Sequence, residues 1–291
     1  MELAIRRSGQ AEPRLVACDI DGTILDSRGA VSSETLAAVR AVVDSGVQVM
    51  LATGRSPWDT APVACALGLA GPQLSMNGGA LVWPDGRVVW ARRLDPELAC
   101  DAIAFARRGG LSPLLGFPGG HACEARPGLD PDVPAFAVGP RLRIAERLET
   151  MVRRRPVRIY LPTPQDRHAR VLAEARDWFG RRASVVYGDR DGLEILPPGT
   201  HKGSGLQTVA ESLGLEPHEV AAMGDGPNDR EMLAYAGHSA ALQSRDHAHD
   251  HGPAMAGHAI VVPSSDEGGA VEALAAFFPS LDLPSVTRTA A

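Results

Sequence analysis

Apolar runs alternate with amphipathic stretches along most of the 291-residue chain. Leu15-Val16-Ala17-Cys18 is an apolar run that stops abruptly at Asp19-Ile20-Asp21-Gly22-Thr23. A short apolar run bounded by turn residues predicts a buried strand. Residues 33–44 then carry apolar positions at helical spacing, with Ser33 as the expected N-cap and Gly46 as the stop. Residues 47–52 predict a second buried strand, which ends in Thr53-Gly54-Arg55. Ser56 and Pro57 supply an N-cap and a first helical position for a helix running toward Leu67. A further short strand is expected over residues 73–77. Strands alternating with helices predict βαβ units and a parallel sheet.

The texture changes from about residue 83 to 190. Turn signals stand at Pro84-Asp85-Gly86 and Phe117-Pro118-Gly119-Gly120, and a stretch rich in proline and glycine lies between Arg126 and Pro140. One strand is expected at residues 157–161. The α/β pattern is expected to resume at Leu193-Glu194-Ile195-Leu196, followed by a helix over 203–213 and a strand over 220–223. The chain therefore reads as a Rossmann-like, three-layer α/β core with a parallel sheet, formed by residues 1–82 and 191–291. An inserted α+β cap occupies residues 83–190. A length of 291 residues suits two domains.

Composition adds exclusions rather than identity. Apolar content of 44% and charged content of 22% are those of an ordinary globular protein. A net charge of −6 argues against a general nucleic-acid binder. Residues 1–14 hold Arg6 and Arg7 but lack the apolar core of a signal peptide. No stretch approaches the roughly 18 apolar residues of a membrane span. The expected location is the cytoplasm, with no membrane partner. Cys18, Cys65, Cys100 and Cys123 are scattered with no C-x-x-C, so neither a zinc site nor a disulfide framework is indicated. Nothing in the chain specifies an oligomeric state.

Charge is unevenly distributed. Residues 84–190 contain 19 Arg and 13 Asp/Glu, a balance of +6, whereas the rest carries 10 basic and 22 acidic residues, a balance of −12. A basic lid over an acidic, metal-binding core would attract an anionic ligand; a solvated arginine-rich surface gives the same count. Of 29 basic residues, 28 are arginine and one is lysine, Lys202. A compact ammonium is a point charge that a planar guanidinium does not replace.

The candidate chemistry starts at Asp19 and Asp21. In an extended run, residues i and i+2 share a side, so the two carboxylates start out facing one space. Like charges that close call for a cation, a raised pKa, or both. An EF-hand loop does not fit, because Ile24 and Ala30 occupy the positions that need Gly and Glu. A plain Asp-x-Asp-Gly turn is the simpler alternative. Three more elements lie at strand ends or open a helix: Thr53-Gly54-Arg55, Lys202, and Gly224-Asp225-Gly226-Pro227-Asn228-Asp229. In open α/β sheets, ligand sites form beyond the carboxyl ends of the strands, so the four are expected to converge. Asp225 and Asp229 would join Asp19 in offering oxygen ligands to Mg2+. Thr53 and neighbouring backbone N–H groups would donate to phosphate oxygens. Lys202 would neutralise the same group, and Asn228 would add a neutral donor.

At these residues the sequence resembles the haloacid dehalogenase-like phosphatases, in particular the Cof-type branch with a large α/β cap, subclass IIB. The four elements match that superfamily's four motifs in order, and Asn77-Gly78-Gly79-Ala80 is similar to the branch's Asn-Gly-Ala segment. The resemblance spans about residues 15–81 and 193–278. It implies a phosphatase that acts on a small phosphorylated metabolite, a sugar phosphate first among them. It also implies Asp19 as nucleophile and Asp21 as proton shuttle, with Thr53, Gly54, Lys202 and Asn228 on the phosphoryl group. Mg2+ would be held by Asp19, Asp21 (through its backbone carbonyl), Asp225 and Asp229. One departure is Ser239-Ala240-Ala241-Leu242-Gln243-Ser244, which lacks the asparagine of the branch's Val-Ala-Met-x-Asn-Ala segment.

Other readings use some of the same residues. A phosphomutase or phosphotransferase would share the aspartyl-phosphate and differ in its acceptor. A receiver-type phospho-accepting domain would also cluster Asp, Thr and Lys, but it needs neither Asp21 at nucleophile+2 nor a large insert. His247, His249 and His251 alternate as a transition-metal site or a polar loop would. His121, Glu124, Arg126, Arg158 and Tyr160 are candidates to read the leaving group, and His201 could touch substrate or simply face solvent. Trp58, Trp83, Trp90 and Trp178 read as packing residues.

Overall fold

The computed structural model describes residues 12–124, 141–187, 192–243 and 257–285. Its elements begin with β1 (Leu15–Cys18), α1 (Ser33–Asp44), β2 (Gln48–Leu51), α2 (Pro57–Ala66), β3 (Gln73–Ser75), β4 (Ala80–Val82) and β5 (Val88–Ala91). They continue with α3 (Pro96–Arg108), β6 (Leu114–Phe117), β7 (Gly120–Glu124), β8 (Leu142–Ala145), β9 (Arg158–Pro162), α4 (His168–Phe179), β10 (Ser184–Tyr187) and β11 (Gly192–Leu196). The last are α5 (Lys202–Ser212), β12 (Val220–Gly224), α6 (Arg230–Tyr235), β13 (His238–Leu242), β14 (Ile260–Val262) and α7 (Gly269–Phe277). The chain divides into two compact units, one of Met1–Val49, Gln207–Gly226 and Leu233–Ala291, the other of Met50–Leu206 and Pro227–Met232.

The first unit is built on a five-stranded sheet in the order β14-β13-β12-β1-β2, the last two residues of β2 opening the second unit. β1 pairs in parallel with β12, from Leu15↔Val220 to Cys18↔Met223, and β12, β13 and β14 continue the parallel pattern. All four residues of β1 and all five of β12 are buried. That is why they read as unbroken apolar runs instead of alternating. α1 turns Ala38, Val39 and Val42 inward and packs against α7. Its N-cap is Ser32, not the expected Ser33: the Ser32 hydroxyl accepts from the Thr35 N–H at 3.0 Å. Two adjacent serines leave a cap ambiguous by one residue until the turn is formed.

The second unit holds a six-stranded sheet, β10-β11-β9-β6-β7-β8, and a three-stranded antiparallel sheet, β3-β4-β5. The six strands pair antiparallel except β7 with β8. α3 and α4 cover one face, with Ile103, Ala106, Leu172 and Phe179 packed on Leu115, Ile159, Leu161 and Ile195. The Pro84-Asp85-Gly86 turn closes the β4–β5 hairpin, with Gly86 at φ +91°. The Phe117–Gly120 turn signal closes β6 onto β7.

Two expected strands take different partners. Residues 193–196, expected to resume the parallel pattern, belong to β11, which lies antiparallel between β10 and β9. The division drawn between residues 190 and 191 thus falls between two paired strands of one sheet. A fully buried strand looks the same in either kind of sheet, so the apolar run could not choose between them. Likewise, β3 pairs antiparallel with β4, and only an isolated Ala52↔Leu74 bridge is parallel. Arg126, the Pro/Gly-rich stretch that follows it, and His247, His249 and His251 lie outside the described residues. No helix among the described residues is long and apolar enough to cross a membrane.

Candidate active site

In the first unit, the register of β1 against β12 brings two loops out of the sheet side by side. Asp19 N–H donates to Met223 O at 3.0 Å, so Asp19 emerges directly beside the end of β12. Asp19 is buried and Asp225 half-buried, and a carboxylate oxygen of one lies within 4.8 Å of a carboxylate oxygen of the other. The Thr23 hydroxyl donates to Asp225 Oδ1 at 3.0 Å, which fixes that carboxylate's orientation. Gly22 sits at φ +75°, and a Cβ there would come within 2.3 Å of Asp225 Oδ2. Glycine is therefore required twice, by the turn and by the space. Asp21, half-buried, bridges to Leu25 in the same turn. Burial and then the Asp19 charge push the Cys18 thiol far above its ordinary value, so it is no competing nucleophile.

The second unit places the other candidates. Thr53 and Gly54 are buried just past β2. The Thr53 N–H donates to Leu74 O (2.9 Å), the Asn77 N–H to Thr53 O (3.0 Å), and the Arg55 N–H to Thr53 Oγ1 (3.1 Å). That hydroxyl keeps its own proton to donate elsewhere. Lys202 opens α5, and its Nζ donates to Asp229 Oδ1 at 2.7 Å with both side chains 0% exposed. Asn228 Nδ2 donates to Asn77 Oδ1 at 3.0 Å.

Sequence reasoning left Asn77 without a role, and the structure gives it one. Met76, Asn77 and Gly78 run through left-handed backbone at φ +55°, +52° and +82°. This turn carries the Asn77 N–H to Thr53 and its side chain to Asn228. At Gly78 a Cβ would meet His201 O at 2.2 Å, directly before Lys202. Asn is the non-glycine residue best suited to such a φ, which is the signal the sequence did offer.

The candidates for reading the leaving group separate. Glu124 is paired with Arg107. Arg158 is 2% exposed, paired with the equally buried Glu194, and its Nη1 donates to Gly54 O at 2.5 Å. His121 lies edge-on to Trp58 with ring centroids 5.0 Å apart, and Arg141 lies over the same indole. Burial, then the Arg158 charge, lower the His121 pKa to about 3, so the imidazole is neutral at pH 7. Tyr160 is buried on the same strand as Arg158. His201 Nδ1 accepts from the Ser204 N–H and so serves the first turn of α5. Glu194 was read only as part of an apolar run. A single charged residue inside Leu193-Glu194-Ile195-Leu196 was the available hint, since such a residue is buried only when paired.

A family model described as haloacid dehalogenase-like hydrolase matches residues 16–274. The chain belongs to the haloacid dehalogenase-like hydrolases. Within that family it is 30% identical over 239 residues to the HMP-PP phosphatase of Serratia proteamaculans, covering 79% of this chain and 83% of the relative. It is 29% identical over 223 residues to the phosphoglycolate phosphatase of Methanopyrus kandleri, covering 77% and 81%. A solved subclass IIB sugar phosphatase superposes with a TM-score of 0.75 at 18% identity, over 91% of this chain and 98% of that one. By this membership the chain is a hydrolase with the mixed α/β fold of that family, and both named relatives are phosphatases.

Proposed function

We propose that this hydrolase is a Mg2+-dependent phosphomonoesterase of small phosphorylated metabolites, sugar phosphates first among them, and that Asp19 is its nucleophile. The observation that carries the reading is the approach of the Asp19 and Asp225 carboxylates at the ends of two adjacent parallel strands. Their donors are all oxygen, the ligand type that Mg2+ takes, and Thr23 holds one of them in place. Asp19, the Asp21 backbone carbonyl, Asp225 and Asp229 would hold the ion. When bound it would supply positive charge to the phosphoryl oxygens.

The chain's own residues would do the rest. An Asp19 oxygen attacks phosphorus as the bond to the leaving oxygen breaks, and Asp21 gives its proton to that oxygen. Asp21 then takes a proton from water, which attacks phosphorus, frees Asp19 and releases inorganic phosphate. Two easier steps replace one hard one. The Thr53 hydroxyl and the Gly54 N–H would donate to the phosphoryl oxygens, while Lys202, aimed by Asp229, would offset their charge. The variety of substrates named for the relatives fits a shared phosphoryl site with a separate leaving-group pocket. We assign that pocket to the inserted sheet, acting as a cap.

The test is hydrolysis of an aryl phosphate with and without Mg2+, in wild type and Asp19→Asn, with and without an added alcohol acceptor. Mg2+-dependent phosphate release that Asp19→Asn abolishes is expected. Activity without the metal, or an active Asp19→Asn, would sink the reading. Transfer to the alcohol in preference to water would make the protein a phosphotransferase.

A further inference from the structure

Gly54 lies between two peptide planes, and each is pinned by a different part of the second unit. On its N-terminal side the Thr53 carbonyl accepts from the Asn77 N–H at 3.0 Å. On its C-terminal side the Gly54 carbonyl accepts from Arg158 Nη1 at 2.5 Å, across 104 residues of sequence. The neighbouring bonds, Thr53 N–H to Leu74 O and Met76 N–H to Arg55 O, come from the adjacent 74–77 segment. Arg158 is the exception, reaching the loop from β9 of the six-stranded sheet.

The sheet is shaped to send that side chain there. Glu194 pairs across the strands with Tyr160, two residues from Arg158, so Arg158 and Glu194 share a face. Glu194 meets the guanidinium charge with both residues out of water. On the other side of Arg158 stands Gly116, and a Cβ there would come 2.7 Å from Arg158 Cγ. The strand is bare where the arginine stem crosses it. A single guanidinium nitrogen, Nη1, thus serves the Glu194 carboxylate and the Gly54 carbonyl together. Without it the buried Gly54 carbonyl would lose its partner, and a glycine has no side chain to limit how the peptide then turns.

We propose that Arg158, held by Glu194, is a positioning residue that keeps the Gly54 N–H and the Thr53 hydroxyl aimed at the phosphoryl group. The proposal rests on the reading of Thr53 and Gly54 as phosphoryl donors. It has a distinctive consequence: Arg158 acts on the part common to every substrate, not on the leaving group.

Two variants of the full chain test it. The double variant Arg158→Met/Glu194→Met removes both charges, so that neither is left buried alone. Gly116→Ala keeps both charges and crowds the arginine stem, together with the flexible tip of Met76. For each, kcat/KM is measured with three phosphate monoesters of different leaving groups, together with the inhibition constant of inorganic phosphate. The double variant is expected to lose about tenfold in kcat/KM, equally for all three esters, with about a tenfold weaker phosphate inhibition, the worth of one hydrogen bond to a charged group. Gly116→Ala should move both quantities in the same direction by less. Unchanged phosphate inhibition, or a loss that depends on the leaving group, overturns the proposal. Circular dichroism reports whether each variant is folded; if the double variant is not, Gly116→Ala decides by the same two criteria. A wild type without phosphatase activity would instead overturn the functional reading, and this proposal with it.

Discussion

Lys202 donates from Nζ to Asp229 Oδ1 at 2.7 Å, and neither side chain touches solvent. Breaking a buried pair by removing one partner leaves an uncompensated charge, at a cost of about 3–5 kcal/mol. Lys202→Met should therefore lower the urea midpoint markedly and, under the proposed role, reduce kcat by roughly 10²–10³-fold. Lys202→Arg should not rescue it, because the planar fork cannot occupy a fully buried point-charge site. Near-normal turnover in either variant would remove Lys202 from the phosphoryl site.

Gly22 is the narrowest steric test of the acidic pair. Its φ of +75° and the 2.3 Å approach to Asp225 Oδ2 leave no room for a methyl group. Gly22→Ala should displace the Asp225 carboxylate and raise the Mg2+ concentration needed for half-activation at least several-fold. An unaltered Mg2+ titration would show that Asp225 is not a metal ligand.

Asn77 separates backbone strain from hydrogen bonding. Both Asn77→Gly and Asn77→Ala lose the bond from Asn228, but only alanine must also hold φ near +52°. A left-handed residue with a Cβ costs about 1–2 kcal/mol, so Asn77→Ala should be less stable than Asn77→Gly by that order in urea melts. Equal midpoints would mean that the turn relaxes freely.

His121 gives the fold a pH dependence of known sign. Folded, it takes up its proton only near pH 3, against an ordinary value of 6.5. Between those values the unfolded chain binds the extra proton. Stability should therefore fall as pH drops from about 6.5 toward 3, with this residue contributing a slope of roughly 1.4 kcal/mol per pH unit. His121→Phe keeps a ring beside Trp58 and should remove that share of the slope. Parallel wild-type and variant curves over pH 4–6 would contradict the assignment.

The parts legible in the sequence were local. The Ser56-Pro57 start of α2, the β1 run ending at Asp19, and the Gly86 turn each depend on residues within a few positions of one another. What escaped depended on distant partners. β11 is as apolar as a parallel core strand, and only its pairing with β9 and β10 assigns it to the other sheet. Arg158 read in sequence only as a candidate for the leaving group; its burial follows from Glu194, 36 residues later. Lys202 stood out by its rarity and by its place among the four motif elements, and only its bond to Asp229 shows how a buried ammonium is tolerated there.

The most direct measurement is the site of the covalent phosphoryl group during turnover. The enzyme is mixed with an aryl phosphate and Mg2+, quenched in acid, and its peptides are mapped by mass spectrometry. A phosphoryl adduct on Asp19, absent from Asp19→Asn, is the expected result. An adduct on another residue, or steady turnover by Asp19→Asn, would contradict the assignment of Asp19 as the nucleophile.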